Sequence, residues 1–266
     1  MTPSTTPPDG TARTRLLHWA QALAVAAFWL VVWQVAAWVV RQNLLLVSPW
    51  QAARRLVELV PTGGFWATVW HSLARIALGF VLAVVIGCLL AWVASLHRWV
   101  GALISPLVRF IRSVPVVSFI ILVLMWAGSG WLATIVSCLM VLPVVFANVE
   151  EGLRQRDRKL RELADVFGLR AGRRWLGLWL PALWPYLTAA CRVGLGLAWK
   201  AGVSAEVIGL TNGSIGERLY QAKIFLSTAD LFCWTAVIVL LSWGFEKLVL
   251  WLLAVGERRL ERVYAK

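Results

Sequence analysis

Apolar residues run in long blocks at 19–40, 65–94, 114–127, 131–149, 181–205 and 231–255, each flanked by polar or basic positions. About 20 apolar residues carry a helix across a bilayer, and a helix satisfies its own backbone where water is absent. The blocks therefore predict an all-α polytopic membrane protein with about six transmembrane helices. The block at 114–127 is short. Ahead of it, 99–113 mixes apolar residues with Pro106, Arg109 and Arg112, which predicts an interfacial helix that turns into the membrane near Pro115. Between the first two blocks, Ser48-Pro49-Trp50 opens a short outer helix through Val60, with Ser48 as N-cap and Pro49 in the first turn. Residues 209–216 read as an outer loop with a turn at Asn212-Gly213.

The same pattern divides the chain. Residues 1–18 form a cytoplasmic tail that carries no packable pattern at its start, 19–64 the first span and the outer helix, 65–255 a membrane core, and 256–266 a basic cytoplasmic tail. Composition sharpens this picture. The 266 residues are 60% hydrophobic and 15% charged, against about a quarter charged in ordinary soluble domains, which excludes a globular cytoplasmic enzyme. Eighteen tryptophans suit a belt at the headgroup level. Cys88, Cys138, Cys191 and Cys233 are far apart inside apolar runs and offer neither metal spacing nor a disulfide framework.

A net charge of +13 is read through placement. Arg13 and Arg15, then Arg98, Arg109 and Arg112, then a cluster from Arg154 to Arg174, then Lys247 to Lys266 all fall on one side of the predicted spans. Cytoplasmic segments collect Lys and Arg, so both termini are expected in the cytoplasm. The basic balance requires no nucleic-acid partner; its partner is membrane lipid.

The segment 150–180 is the most informative. Leu153, Leu160, Leu163, Ala164 and Phe167 recur at helical spacing, while Arg154, Arg158, Arg161 and Asp165 fall elsewhere on the wheel. Gly168 ends or bends this helix, and Leu180-Pro181 starts the next span. By periodicity alone the helix either lies on the anionic inner leaflet or docks on another protein.

Glu162-Leu163-Ala164, Gly168 and Leu178-Trp179-Leu180-Pro181 have the order and spacing of the EAA motif. The chain resembles the permease subunits of bacterial binding-protein-dependent ABC importers. Leu163 and Leu178 stand where Ala and Ile are common in that motif. His71-Ser72-Leu73-Ala74-Arg75, Gly79-Phe80, Arg112-Ser113-Val114-Pro115 and the run from Trp199 to Glu206 are similar to the nitrate/sulfonate/taurine branch, with Ile121 where members often carry a second Pro.

The resemblance implies a type I importer permease fold in the bacterial inner membrane. It implies partners as well: two ABC ATPase subunits, a second permease copy in a homodimer, and an extracytoplasmic solute-binding protein. It further implies that Arg158, Leu160, Arg161, Glu162, Leu163, Ala164, Phe167, Gly168, Leu180 and Pro181 belong to the segment coupling this chain to its ATPase. ATP and Mg belong to that partner, and no cofactor is expected in this chain. The solute would be a nitrate-, sulfonate- or taurine-like anion or a vitamin precursor. A stand-alone channel, an ion-coupled carrier and a non-transporting membrane protein are the alternatives.

The motifs agree that the chemistry lies elsewhere. The chain has no GxxxxGK[ST] loop, no GxGxxG, no HExxH and no His/Cys ligand cluster, so no catalytic or metal-binding residue is expected. Ionisable residues at membrane depth are costly and are functional candidates. Arg75, Arg192, Lys200 and Glu206 are the candidates for the translocation path, with snorkelling or internal pairing as their structural alternatives. Gly194, Gly196, Ala198 and Gly202 offer small faces for close helix packing.

Overall fold

The computed structural model describes residues 12–42, 44–155 and 179–264, and every regular element among them is a helix. In chain order these are α1 (Ala12–Val40), α2 (Pro49–Leu59), α3 (Gly63–Leu96), α4 (Arg98–Ser113), α5 (Val116–Ala127), α6 (Leu132–Arg154), α7 (Leu180–Ile208), α8 (Ile215–Ile224) and α9 (Thr228–Tyr264). The architecture is a helical bundle with α3, α6 and α7 at its centre.

Local signals place several boundaries. Ser48 caps α2 reciprocally: its hydroxyl accepts from the Gln51 backbone N–H at 3.3 Å, and the Gln51 side chain accepts from the Ser48 N–H at 3.2 Å. Such a box satisfies two backbone donors that a helix start leaves free. Arg55 then ties α2 to the start of α9 by an ion pair with Asp230. Hydrogen bonding to Asp230 raises the Arg55 guanidinium above its ordinary value, which keeps the pair charged. The turn expected near Pro115 is present, with α4 and α5 meeting at 104°.

Four helices, α1, α3, α6 and α9, are each long and apolar enough to cross a membrane, and the bent pair α4–α5 makes a fifth candidate. The remaining predicted span is α7. At 29 residues it has the length, roughly 43 Å at 1.5 Å per residue, yet it is absent from the helices that meet the apolarity requirement. Arg192, Lys200, Pro181 and Pro185 account for the shortfall.

Glycine sets how closely the central helices meet. A Cβ on Gly79 would stand 2.4 Å from the Thr134 carbonyl oxygen of α6, and one on Gly87 would stand 2.9 Å from Val145. Lipid tails are as apolar as leucine, so helix association in a bilayer depends on such packing rather than on escape from water. Around these contacts Ile76, Phe80, Val141, Val145, Leu195, Ala198 and Trp199 form one buried cluster. Hydrogen bonds cross the same seam: Thr134 Oγ1 donates to the Arg75 carbonyl at 3.0 Å, and Ser137 Oγ to the Ala198 carbonyl at 3.0 Å.

The first helix is different. In its apolar stretch, Leu23–Val40, no side chain is buried. Its attachments include a hydrogen bond from the Trp33 indole to the Val47 carbonyl and a ring contact between Trp33 and Phe232.

Candidate functional site

Two regions carry the predicted site residues. The first is the junction of α6 and α7. Arg158, Leu160, Arg161, Glu162, Leu163, Ala164, Phe167 and Gly168 lie outside the described residues. Leu180 and Pro181 are described, with Pro181 in the first turn of α7, where its missing N–H costs nothing.

The ends that the undescribed segment joins lie against each other. A Cβ on Gly152 would stand 2.7 Å from the Tyr186 ring and 3.0 Å from Leu183, and the Tyr186 hydroxyl donates to the Gln155 side chain. Beside this junction is an apolar hollow of about 180 Å³, lined by Cys88, Leu89, Trp92, Val149, Leu153, Leu180, Leu183 and Leu187. The chain thus leaves one member of a closely packed helix pair after Gln155 and rejoins the other at Leu180.

The second region is α7 itself, which the structure divides into two faces. Ala190, Gly194, Ala198, Gly202 and Glu206 are buried. A Cβ on Gly194 would stand 2.9 Å from Val141, and one on Gly202 would stand 2.5 Å from Ser137 Oγ and 2.7 Å from Ile76. The other face exposes Arg192, Lys200 and Ser204 along a slowly winding stripe, with Gly196 between the two cations. A Cβ on Gly196 would meet no atom within 4 Å.

Gly196 therefore differs from the other small residues of this helix. Read with Gly194, Ala198 and Gly202 as a packing position, it instead lies on the open face. Eight residues separate Arg192 from Lys200, or about 12 Å along the axis. Neither forms an ion pair with a described residue.

The four intramembrane charges thus separate. Arg192 and Lys200 are exposed on α7, whereas Arg75 and Glu206 turn inward. Glu206 is fully buried. One of its oxygens, Oε2, accepts from the Ser72 hydroxyl at 2.7 Å and from the Gly216 N–H at 3.3 Å. Arg75 is half-buried on α3, and its Nη1 is buried without a hydrogen-bond partner among the described residues. The carboxylate that would have offset the cations of α7 does not share their face.

Ser72 and Ser204 entered only within the runs 71–75 and 199–206, and Gly216 only as the end of an outer loop, with no site role for any of the three. Ser72 lies one helical turn before Arg75 and on the same side of α3, which is the signal that could have marked it. Its acidic partner is 134 residues away, beyond any local pattern. Among the described residues, no group of three or more His, Cys, Asp or Glu is placed to hold a metal ion.

Residues 83–262 match the family described as the binding-protein-dependent transport system inner membrane component. The chain is 28% identical to the taurine transport system permease protein TauC of Escherichia coli (strain K12), over 87% of this chain and 83% of the relative. It is 27% identical to the putative aliphatic sulfonates transport permease protein SsuC of Bacillus subtilis (strain 168), over 80% of this chain and 78% of the relative. It is also 27% identical to the bicarbonate transport system permease protein CmpB of Synechococcus elongatus, over 71% of this chain and 68% of the relative.

Proposed function

Because the chain belongs to the binding-protein-dependent inner-membrane permease family, we propose that the Arg192–Gly196–Lys200–Ser204 face of α7 lines the path of a small anion. The observation that carries this reading is a pair of exposed cations about 12 Å apart along α7, with the nearby carboxylate, Glu206, buried away from them. Charges at membrane depth face a bundle interior or a water-filled cavity rather than lipid. A single chain leaves this face open on one side. A second copy set against it would enclose it, which supports a homodimer.

The relatives named for taurine, aliphatic sulfonates and bicarbonate favour an anionic solute. In this reading a binding protein delivers the anion to the outer end of the path. Arg192 and Lys200 lower the cost of taking it out of water, and Gly196 leaves room between them. Two cations hold the anion in steps, so that it can leave as well as enter.

The driving force comes from two ATPase subunits that bind ATP and Mg. The segment 156–178 transmits their closure to α6 and α7, with Leu160, Leu163, Ala164 and Phe167 as the apolar face of the docked helix. Arg158, Arg161 and Glu162 provide its polar contacts, and Gly168 permits close approach. Leu180 and Pro181 form the hinge into α7. Both termini lie in the cytoplasm, which puts the basic segments 98–112, 154–174 and 247–266 on the inner side.

The test is reconstitution with the ATPase and binding protein, measuring ATP-dependent uptake of taurine, alkanesulfonates, nitrate and bicarbonate. Replacing both cations (Arg192→Gln with Lys200→Gln) should reduce anion uptake by at least ~10-fold, while Lys200→Arg retains most of it. Undiminished uptake in the double variant would remove α7 from the path. Uptake of a pyrimidine vitamin precursor that ignores both substitutions would favour that solute class instead. Separately, Gly168→Val should abolish uptake with the protein still at its normal level in the membrane; normal transport would count against the docked segment.

A further inference from the structure

Where α7 ends, three helices share one polar knot. Glu206 Oε2 accepts from Ser72 Oγ of α3 and from the Gly216 N–H of α8. Ser72 Oγ in turn accepts from the Ile215 N–H at 2.9 Å. Glu206, Ser72 and Ile215 are all fully buried. The first turn of α8 rests backbone to backbone on α7, since a Cβ on Gly216 would stand 2.3 Å from Glu206 Cβ and 2.5 Å from the Val207 nitrogen.

The loop leading into α8 also reaches the α5–α6 turn, through a hydrogen bond from Thr211 Oγ1 to the Ser129 carbonyl. A movement of α8 off this seat would therefore loosen one whole end of the bundle.

The knot is incomplete on one side. Glu206 Oε1 is buried with no hydrogen-bond partner among the described residues, and so is Arg75 Nη1. Arg75 lies one turn after Ser72, the α3 residue that bonds the carboxylate, yet no ion pair closes between them. A buried charge that uses only one of its oxygens is costly unless something else compensates. Because Arg75 is on α3, one turn beyond Ser72, it can reach Glu206 without any help from α8.

We propose that Glu206 is a two-position latch. In the state described here it holds the first turn of α8 against α3 and α7. When the outer end opens, the Gly216 N–H leaves the carboxylate and the Ile215 N–H leaves Ser72, and the Arg75 guanidinium takes the place of Gly216 at the carboxylate. Each state leaves some polar groups unmatched, so the two are close in free energy and a modest push tips the balance. Glu206 and Arg75 act here as positioning residues that set when the path opens, and this rests on the cytoplasmic termini proposed above, which put the α7–α9 connection, and α8 with it, on the outer side.

The experiment uses the complete transporter in proteoliposomes, with a membrane-impermeant thiol reagent supplied on either side. Ile215→Cys reports whether α8 is seated, and Arg218→Cys, exposed on the same helix, reports which side α8 faces. Labelling of the four native cysteines is subtracted.

Ile215→Cys should react slowly at rest and at least ~10-fold faster during ATP turnover with loaded binding protein. Adding Glu206→Ala should give the fast rate at rest. Glu206→Gln keeps acceptors for Ser72 and Gly216 but loses the charge that attracts Arg75. That variant and Arg75→Gln should both remain slow at rest and during turnover, with uptake reduced. Turnover labelling in Arg75→Gln and Glu206→Gln equal to that of the parent would overturn the latch. So would slow resting labelling in a folded Glu206→Ala variant. If Arg218→Cys reacts only from the ATPase side, the outward placement is wrong, and the same rate comparison on that side still decides the latch.

Discussion

The two faces of α7 obey opposite rules. On one face, Gly194, Ala198 and Gly202 are pressed against Val141, Ser137 and Ile76. There the absence of side chains creates the contact. On the other, Gly196 meets nothing, and the long side chains of Arg192 and Lys200 project outward. There the absence of a side chain leaves open space between two cations. A soluble helix turns its charges to water and its apolar residues to the core. In α7 the tightly packed face is built of small residues and the charged face is the open one, which is the ground for proposing it as the lining of the path.

Substitutions can break this contrast. The largest effect is expected for Gly202→Val, whose added carbons have no space beside Ser137 and Ile76. It should cost about 3 kcal/mol of stability by overpacking, read as a loss of folded protein on thermal or denaturant challenge. The same change at Gly196 should alter stability by less than ~0.5 kcal/mol while lowering uptake, because it fills the open face. Equal destabilisation at both positions would erase the distinction between the faces.

A charge reversal sharpens the comparison next. Lys200→Glu should leave thermal stability near that of the parent and lower anion uptake by ~10-fold or more, since a fixed carboxylate now repels the solute. The smallest effect on uptake is expected far from α7. Ser48→Ala removes the reciprocal cap of α2 and should cost about 1 kcal/mol, with uptake by the remaining folded protein unchanged. That variant separates a general loss of stability from a fault in the path.

Much of this architecture was legible in the residues. Blocks of apolar residues located the helices, Pro115 located the bend, and Ser48 with Pro49 located α2, because each of these signals acts within a few residues. The four intramembrane charges could be found but not sorted. Arg192 and Gly194 are only two positions apart, so a small error in how α7 is rotated exchanges the open face for the packed one. In lipid, small and polar residues both avoid the outer surface, so composition could not set that rotation.

Helix α8 was not foreseen, only its first two residues falling in the outer loop read at 209–216, because its ten residues mix charges and apolar positions without a continuous run. Its placement depends on Gly216 fitting against Glu206, a contact made by tertiary structure alone. The coupling residues before Leu180 lie outside the described residues, so their reading rests on the motif and on the junction of α6 with α7.

The sparse attachment of α1 bears on how the protein is made. A segment that shares so few contacts with the other described residues can be threaded into the bilayer while the ribosome is still translating its neighbours. Its orientation would then be fixed before α3 or α6 emerges, and every later crossing would inherit that choice.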